Sequence, residues 1–372
     1  MSGIKKTNWN QSFSVTGRVG RISDKTWKVD AQSASGYVYN SANLGIVTDD
    51  GTVYCQMMGG YSSVSDNNVV YCHGKGDDGR DDFQNRIEVK WDDRFDEDVL
   101  SELGDMCFYK FELERTTNGN MFAKKFISIY DAVAYCAEHL VEGDYVNVTG
   151  DISYDEYNGE TSIRRNITGI RKVDPEKWAS KAGFKQSVYL TSDSVTKDSI
   201  DMDNGIVTVN GYVAEYRKEK NGVSIRGNIA VPYTFEYRLN GEKDKWAKQI
   251  EYLFKVKKDT IQQVNFAGTF AVEDSTVQPT EEDLSPDLLA LVNLGLYTLE
   301  ELLRKVAGNG NRIQHVYLDN IMVKNAMIGE ESIAIPAKYE EVFTEDEFFS
   351  AGMPVADVWE DDDSSLDWLD EI

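Results

Sequence analysis

Residues 131–173 read DAVAYCAEHLVEGDYVNVTGDISYDEYNGETSIRRNITGIRKV. The first part has the spacing of a helix, and a Glu-Gly-Asp turn follows it. YVNVTGDISY (145–154) then alternates apolar and polar side chains, which is typical of a half-buried strand. A Tyr-Asn-Gly turn leads to a last strand that ends near Val173. The stretch therefore predicts a helix, a strand, a hairpin turn and a strand, in that order.

The same strand design occurs at three other places in the chain. These are FSVTGRVGRI (13–22), IVTVNGYVAEY (206–216) and VNFAGTFAVED (264–274). Each has a glycine in the strand interior, where glycine weakens a strand unless it forms a bulge or a sharp bend. Because bends of this kind curl a sheet into a small barrel, and they occur in both halves, we expect two barrels.

The helix, strand and hairpin of residues 131–173 resemble the end of an OB fold, the five-stranded barrel common among binders of single-stranded nucleic acid. The resemblance covers about residues 12–175. The second half resembles another OB barrel, in which IEYLFKVKK (250–258) is predicted to be a strand. One departure is expected: the helical hairpin at 285–308 precedes the last strand instead of the fourth.

The predicted fold class is therefore mainly β, with two OB-fold-like small β-barrels, short helices, a helical hairpin insert and a disordered acidic tail. The predicted boundaries are an N-terminal arm at 1–11, a first OB-like domain at 12–175, a linker at 176–187, a second OB-like domain at 188–335 with its insert at 285–308, and the tail at 336–372. The insert is expected to pack on the barrel; a partner-binding or self-association surface is the alternative.

The charge is concentrated at the C-terminus. The whole chain has a net charge of −25, and residues 338–372 contain thirteen acidic residues and one lysine. The final segment, WEDDDSSLDWLDEI (359–372), is too charged to fold by itself but contains two tryptophans. We expect its apolar side chains to bind a partner protein. They are Trp359, Leu366, Trp368, Leu369 and Ile372.

Several classes of protein are unfavoured. No run of about 18 apolar residues could span a bilayer, and the N-terminus lacks the apolar part of a signal peptide, so a cytoplasmic protein without membrane contact is expected. The common phosphate-loop and H-E-x-x-H motifs are absent, and no cofactor is expected. The alternative is a metal-dependent enzyme that uses the Cys72-His73 region together with Cys55.

A binder of single strands needs aromatic rings for base stacking and cations that follow the phosphates. In strand 206–216, Val207, Val209 and Val213 share one face, so Tyr212 and Tyr216 should project from the other. Basic residues follow these tyrosines. The predicted contacts of the second barrel are Tyr212, Tyr216, Arg217, Lys218, Lys220, Arg226, Lys255, Lys257 and Lys258.

The first barrel offers a less clustered set, in which packing in the core or at the rim is an equal alternative for each aromatic residue. The predicted contacts are Arg18, Trp27, Lys28, Tyr37, Tyr39, Arg86, Lys90, Trp91, Lys124, Lys125, Arg164 and Arg165. Arg21 lies near the first of them in sequence.

The barrels followed by an acidic tail resemble the bacterial and phage-encoded single-stranded DNA-binding proteins. The resemblance implies a non-enzymatic protein of DNA replication or recombination that protects single-stranded DNA and recruits replication or recombination proteins through its tail. The chain ends in Asp370-Glu371-Ile372 instead of the bacterial Pro-Phe, which favours a bacteriophage protein acting in the host cytoplasm. The alternative is an OB-fold structural or assembly protein of a virion.

Overall fold

The computed structural model describes residues 4, 7–157, 160–220, 223–274, 284, 286–299, 301–303, 312–328, 331–344 and 348–349. In the first half the strands are β1 (Gln11–Val19), β2 (Trp27–Gln32), β3 (Tyr37–Thr48), β4 (Gly51–Ser62), β5 (Val69–Lys75), β6 (Asp81–Lys90), β7 (Tyr109–Arg115), β8 (Met121–Phe126), β9 (Tyr145–Tyr157) and β10 (Glu160–Lys172). The helices are α1 (Glu97–Glu102) and α2 (Ile129–His139).

Five of these strands close the first barrel. β1 pairs with β3, β3 with β4, β4 with β10, β10 with β9, and β9 with β1. Only the pairing of β4 with β10 is parallel among these five. Helix α2 comes between the third and fourth barrel strands along the chain. This order and this helix position are those of an OB fold, as residues 131–173 predicted.

In the second half the strands are β11 (Lys181–Leu190), β12 (Ile200–Asp201), β13 (Ile206–Lys220), β14 (Val223–Arg238), β15 (Thr260–Asp274), β16 (Arg312–Ile321), β17 (Val323–Ile328), β18 (Glu331–Pro336) and β19 (Lys338–Thr344). The helices are α3 (Trp246–Phe254) and α4 (Pro286–Asn293). β11 pairs with β13, β13 with β14, β14 in parallel with β16, β16 with β15, and β15 with β11. The second half is thus a second OB barrel with the same strand order.

The predicted strand at 250–258 is wrong, because residues 246–254 form helix α3. Trp246, Ile250, Leu253 and Phe254 are spaced as one helical face and pack against the barrel core. α3 comes between the third and fourth strands, which is the usual OB position. The insert at 285–308 does precede the last strand, as predicted, because it comes between strands four and five. The prediction that it takes the place of the helix before the fourth strand is wrong, because the second barrel has that OB helix as well.

The described part of the insert contains a helix end and a helix start. Gly295, just after α4, has a φ of +67°, which favours glycine and ends the helix. The backbone N–H of Thr298 donates to the Glu301 carboxylate at 2.9 Å, and the N–H of Glu301 donates to Thr298 Oγ1 at 3.2 Å. This reciprocal pair is a capping box.

The strand-interior glycines lie where strands approach one another closely. A Cβ added to Gly150 would be 2.0 Å from the carbonyl oxygen of Asn166 on β10. A Cβ added to Gly268 would be 2.2 Å from the carbonyl oxygen of Tyr317 on β16. The two glycines occupy the fourth strand of their barrels, and the pairing with the fifth strand shifts register beside each. The predicted irregularities are therefore confirmed at Gly150 and Gly268, two of the four strand-interior glycines.

The two barrels form one continuous sheet. β1 pairs antiparallel with β11, from Gln11 opposite Gln186 to Thr16 opposite Lys181. Residues 181–187, which the sequence assigned to a linker, are therefore in the first strand of the second barrel. Tyr154 of β9 donates a hydrogen bond to Gln186 Oε1 at 2.9 Å, and its ring packs against Tyr233 at 4.9 Å between centroids. The barrels are thus held together by both backbone and side-chain contacts.

The ends of the described chain pack on the second barrel. Ile4 and Phe348 are buried in one cluster with Tyr189, Ala214 and Ile261. β19 pairs with β15, so residues 338–344, which the sequence assigned to the acidic tail, belong to the second barrel. The remainder of that tail, from residue 350 onward, lies outside the described residues.

Two insertions enlarge the first barrel. The hairpin of β5 and β6 packs with α1 around Val89, Leu103 and Ile127. The hairpin of β7 and β8 extends the barrel sheet, because β7 pairs in parallel with β10. No helix in the described part of the chain is long and apolar enough to cross a membrane.

Candidate nucleic-acid interface

OB folds bind oligonucleotides on the outer surface of strands two and three and on the loop between strands one and two. In the first barrel these are β3, β4 and residues 20–36. Val53, Cys55 and Met57 of β4 point into the core, so the alternate residues Tyr54 and Met58 point outward and are exposed. This surface therefore carries an aromatic side chain at the position where the fold binds its ligands.

A cleft of about 660 Å³ lies on this surface. It is lined by Gly20, Arg21, Ser23, Asp24, Lys25, Thr26, Asn43, Gly45, Val47, Thr52 and Tyr54. Arg21 and Lys25 are exposed in the loop. Tyr54 is 48% exposed. One concave surface is thus lined by the aromatic residue Tyr54 and by the basic residues Arg21 and Lys25. This combination suits a base and its flanking phosphates.

Gly45 permits this position of Tyr54. The two residues are opposite each other in the pairing of β3 with β4, and a Cβ at position 45 would be 3.2 Å from Cε1 of the tyrosine. The absence of a side chain at position 45 lets the ring lie against the strand surface. The sequence-based prediction did not include Tyr54 and Lys25. The alternation in VYCQM (53–57) could have shown that the Tyr54 side chain points outward.

Some predicted aromatic contacts of the first barrel are packed instead of exposed. Trp27 is only 8% exposed and belongs to the barrel core, so its prediction as a stacking residue is corrected. Trp91 is half-buried, and its ring is 4.9 Å from that of Tyr61 and 5.6 Å from that of Tyr130. The Arg94 guanidinium is 4.3 Å from the Trp91 ring. These contacts fit rim packing, the alternative considered for Trp91.

Other predicted residues of the first barrel are at the surface. The rings of Tyr37 and Tyr39 stack on each other with centroids 6.4 Å apart. The Arg18 guanidinium is 5.6 Å from the Tyr145 ring. Lys124 is 4.9 Å from the Tyr135 ring, and Lys125 forms an ion pair of 3.3 Å with Asp105. The exposed cations Lys28, Arg86 and Lys90 complete this set. These residues are spread over five strands, β1, β2, β3, β6 and β8.

The neighbours Arg164 and Arg165 have opposite environments. Arg164 is exposed and pairs with Asp155 at 2.6 Å. Arg165 is only 7% exposed, and its guanidinium is 4.0 Å from the ring of Phe270 in the second barrel. Burial lowers the pKa of Arg165 below its usual value. Because Arg165 is enclosed between the barrels, its prediction as a phosphate contact is corrected.

The predicted aromatic contacts of the second barrel differ in their exposure. Val207, Val209 and Val213 are buried, which confirms the predicted alternation, and Tyr216 is 51% exposed. The Tyr212 ring is covered by Phe348 and Phe349, with centroids at 6.2 and 4.9 Å.

The basic residues near these tyrosines are also divided. Arg217 faces the first barrel, where its guanidinium donates to the carbonyl oxygen of Tyr154 at 2.5 Å. Lys218 and Arg226 are exposed, whereas the side chain of Lys220 lies outside the described residues. Lys255, Lys257 and Lys258 are exposed just after α3, whereas Tyr216 and Lys218 lie on β13.

The alternative metal site is not assembled. Cys55 is in the barrel core, where burial raises the pKa of its thiol to about 12. Cys72 instead packs in the cluster beneath the β5–β6 hairpin. His73 interacts with Asp81 at 2.7 Å through Nε2 and with the Cys107 sulfur at 3.4 Å through Nδ1. The described residues contain no group of three or more His, Cys, Asp or Glu suited to a metal ion.

The predicted partner-binding residues of the tail, from Trp359 to Ile372, lie outside the described residues.

The strand order, the helix positions and the outward cleft define a mainly β protein with two OB barrels. Residues 62–283 match the model of the YorF family, which is more than half of the chain. The chain therefore belongs to the YorF family. No curated protein matches it significantly.

Two solved structures of the single-stranded DNA binding protein from Thermus aquaticus are similar to parts of the chain. A deletion mutant is 13% identical, with 77% of this chain and 98% of that chain covered and a TM-score of 0.27. The wild-type protein is 11% identical, with 73% and 87% covered and a TM-score of 0.28. At such low scores the fold assignment depends on the strand pairing within this chain.

Proposed function

We propose that this protein binds single-stranded DNA without catalysing a reaction on it. The observation that supports this most is the cleft on the first barrel, which is lined by Tyr54 together with the cations Arg21 and Lys25. A base can stack on Tyr54, and base stacking on an aromatic residue contributes about 1–3 kcal/mol per base. The two cations neutralise neighbouring phosphates.

The second barrel offers a further exposed aromatic residue and a cation. Tyr216 is exposed on β13, the second strand of that barrel, and Lys218 follows it on the same strand. Exposed residues of both barrels then bind one DNA strand with little sequence preference, because every base has a face that can stack. The net charge of −25 does not oppose this, since much of it lies in residues 338–372.

We further propose that the protein acts in DNA replication or recombination in the cytoplasm, or in the host cytoplasm for a phage-encoded protein. In this proposal the C-terminal tail recruits replication or recombination proteins. Its acidic residues keep the segment in water, and its two tryptophans and its leucines provide apolar anchors for a partner.

Titration of the full chain with a fluorescent oligothymidine tests DNA binding directly. We expect a rise in anisotropy that is tighter at low than at moderate salt, because counterions are released when phosphates are neutralised. A duplex of the same length and a homopolymeric RNA serve as comparisons. Absence of binding to the oligothymidine at both salt concentrations would refute the proposal.

The two cations of the cleft should contribute to the salt dependence of oligothymidine affinity, to which base stacking on Tyr54 does not contribute. We expect Arg21→Ala and Lys25→Ala each to weaken oligothymidine binding and to reduce the slope of log K against log salt by about 0.7, the value for one phosphate contact on a single strand. Lys177→Ala removes an exposed lysine outside the cleft and should leave the slope unchanged. Equal slopes for all three variants would place the phosphate contacts elsewhere.

A further inference from the structure

A second concave surface lies on the second barrel. It is a cleft of about 590 Å³ lined by Tyr252, Lys255, Val256, Lys257, Thr260, Ile261, Gln262, Ile335, Pro336 and Lys338. These residues come from α3, the connection after it, the start of β15, the end of β18 and the start of β19. The surface used by OB folds for nucleic acid is instead that of β13 and β14. The cleft is thus separate from the proposed DNA surface.

The lining combines three lysines with apolar side chains. Lys257 is exposed and forms no ion pair within the part of the chain that the structure describes. Lys255 pairs with Glu251 at 2.8 Å, and the Lys338 ammonium is 5.2 Å from the ring of Tyr252. Ile335 and Pro336 form an apolar wall at the base of the β17–β18 hairpin. Cations beside an apolar wall suit a peptide that carries both carboxylates and large apolar side chains.

One segment of this chain has that composition. Residues 359–372 contain seven carboxylate side chains, together with Trp359, Trp368 and Leu369. We propose that this cleft binds the chain's own C-terminal segment, with carboxylates beside Lys255, Lys257 and Lys338 and a tryptophan against Ile335 and Pro336.

The position of the cleft supports this occupant. Thr344, the last residue of β19, is paired with Thr260, which lines the cleft. Phe348 lies in the same buried cluster as Ile261, another lining residue. Nine residues lie between Phe349 and Trp359, and the ten residue steps from one to the other span about 35 Å in an extended chain. The tether to the segment therefore begins beside the cleft and is long enough for the segment to reach it, at the high effective concentration of a short tether.

The assignment changes the role of two predicted DNA contacts. Lys255 and Lys257 would hold carboxylates of the tail, and the DNA would use the cleft around Tyr54. The tail and the DNA then occupy different surfaces, so a partner protein that captures the tail takes it from the lysine cleft without displacing DNA.

A synthetic peptide of residues 354–372, labelled at its N-terminus, tests the proposal on a chain that ends at residue 353. We expect the peptide to bind this shortened chain and to shift its own tryptophan fluorescence. Lys257→Glu in the shortened chain should weaken the peptide by roughly 3- to 10-fold, the range for reversing one partly exposed charge. Lys248→Glu changes an exposed lysine of α3 outside the cleft and should leave the affinity unchanged.

The other outcomes contradict the proposal or assign the cleft to another ligand. No binding of the peptide, or equal binding by Lys257→Glu and Lys248→Glu, would overturn the proposal. Displacement of the peptide by oligothymidine, with weakening by Arg21→Glu instead of Lys257→Glu, would place the tail in the DNA cleft. Weakened oligothymidine binding by Lys257→Glu in the shortened chain would make the lysine cleft a DNA site. If no variant binds oligothymidine, the proposed DNA binding is contradicted, but the peptide result still decides the role of the lysine cleft because that measurement contains no DNA.

Discussion

Replacement of Tyr54 by alanine should weaken oligothymidine binding by about 5- to 150-fold, which corresponds to the 1–3 kcal/mol of one stacked base. The ring is the large exposed aromatic side chain of the cleft, and Gly45 beside it leaves it room to lie along the strand. Alanine removes the stacking surface but no cation. The slope of log K against log salt should therefore stay as in the unchanged protein. Anisotropy titrations at several salt concentrations measure both quantities.

Two variants control this result. Tyr54→Phe keeps the ring and should bind almost as the unchanged protein does. Tyr71→Ala removes an exposed tyrosine on the β5–β6 hairpin, outside the cleft, and should have no effect on affinity. Equal affinities of Tyr54→Ala and Tyr71→Ala would show that the first barrel does not stack bases at this cleft.

Local patterns predicted most of the fold. Alternation identified β1, β9, β13 and β15, and the interior glycines identified the bends that close the barrels. The error at residues 246–254 has a physical cause. Tyrosine, phenylalanine and isoleucine favour strands, and in IEYLFKVKK they conceal a helical spacing that begins earlier, at Trp246. An analysis of the spacing that started at Trp246 would have predicted helix α3, and with it the usual OB position of a helix between the third and fourth strands.

The candidate site was less predictable, because alternation shows which residues leave one barrel core but not what covers them. Tyr212 and Tyr216 lie on the same outward face of β13, yet Phe348 packs over the first and the second is exposed. Arg164 and Arg165 are adjacent, but the second lies against Phe270 of the other barrel. These environments depend on contacts between residues more than 100 positions apart, which no local pattern contains.

The same long-range contacts make the joint between the barrels a determinant of stability. Glu215 of β13 is 6% exposed. Its carboxylate accepts hydrogen bonds from the side chain of Gln11 and from the backbone N–H of Tyr154, the latter at 3.0 Å. The Arg217 guanidinium is 3.9 Å away. One carboxylate of the second barrel thus satisfies donors from two strands of the first.

Glu215→Ala should lower the free energy of unfolding by about 3 kcal/mol. The change leaves the buried Tyr154 N–H without its acceptor and removes the carboxylate beside Arg217, and each unsatisfied buried donor costs about 1–3 kcal/mol. Glu215→Gln keeps an oxygen acceptor and should recover part of the loss. Glu219→Ala, which removes an exposed carboxylate from the same strand, should change stability by less than about 0.5 kcal/mol. Urea unfolding followed by tryptophan fluorescence measures all three, and similar midpoints for Glu215→Ala and Glu219→Ala would mean that Glu215 does not hold the barrels together.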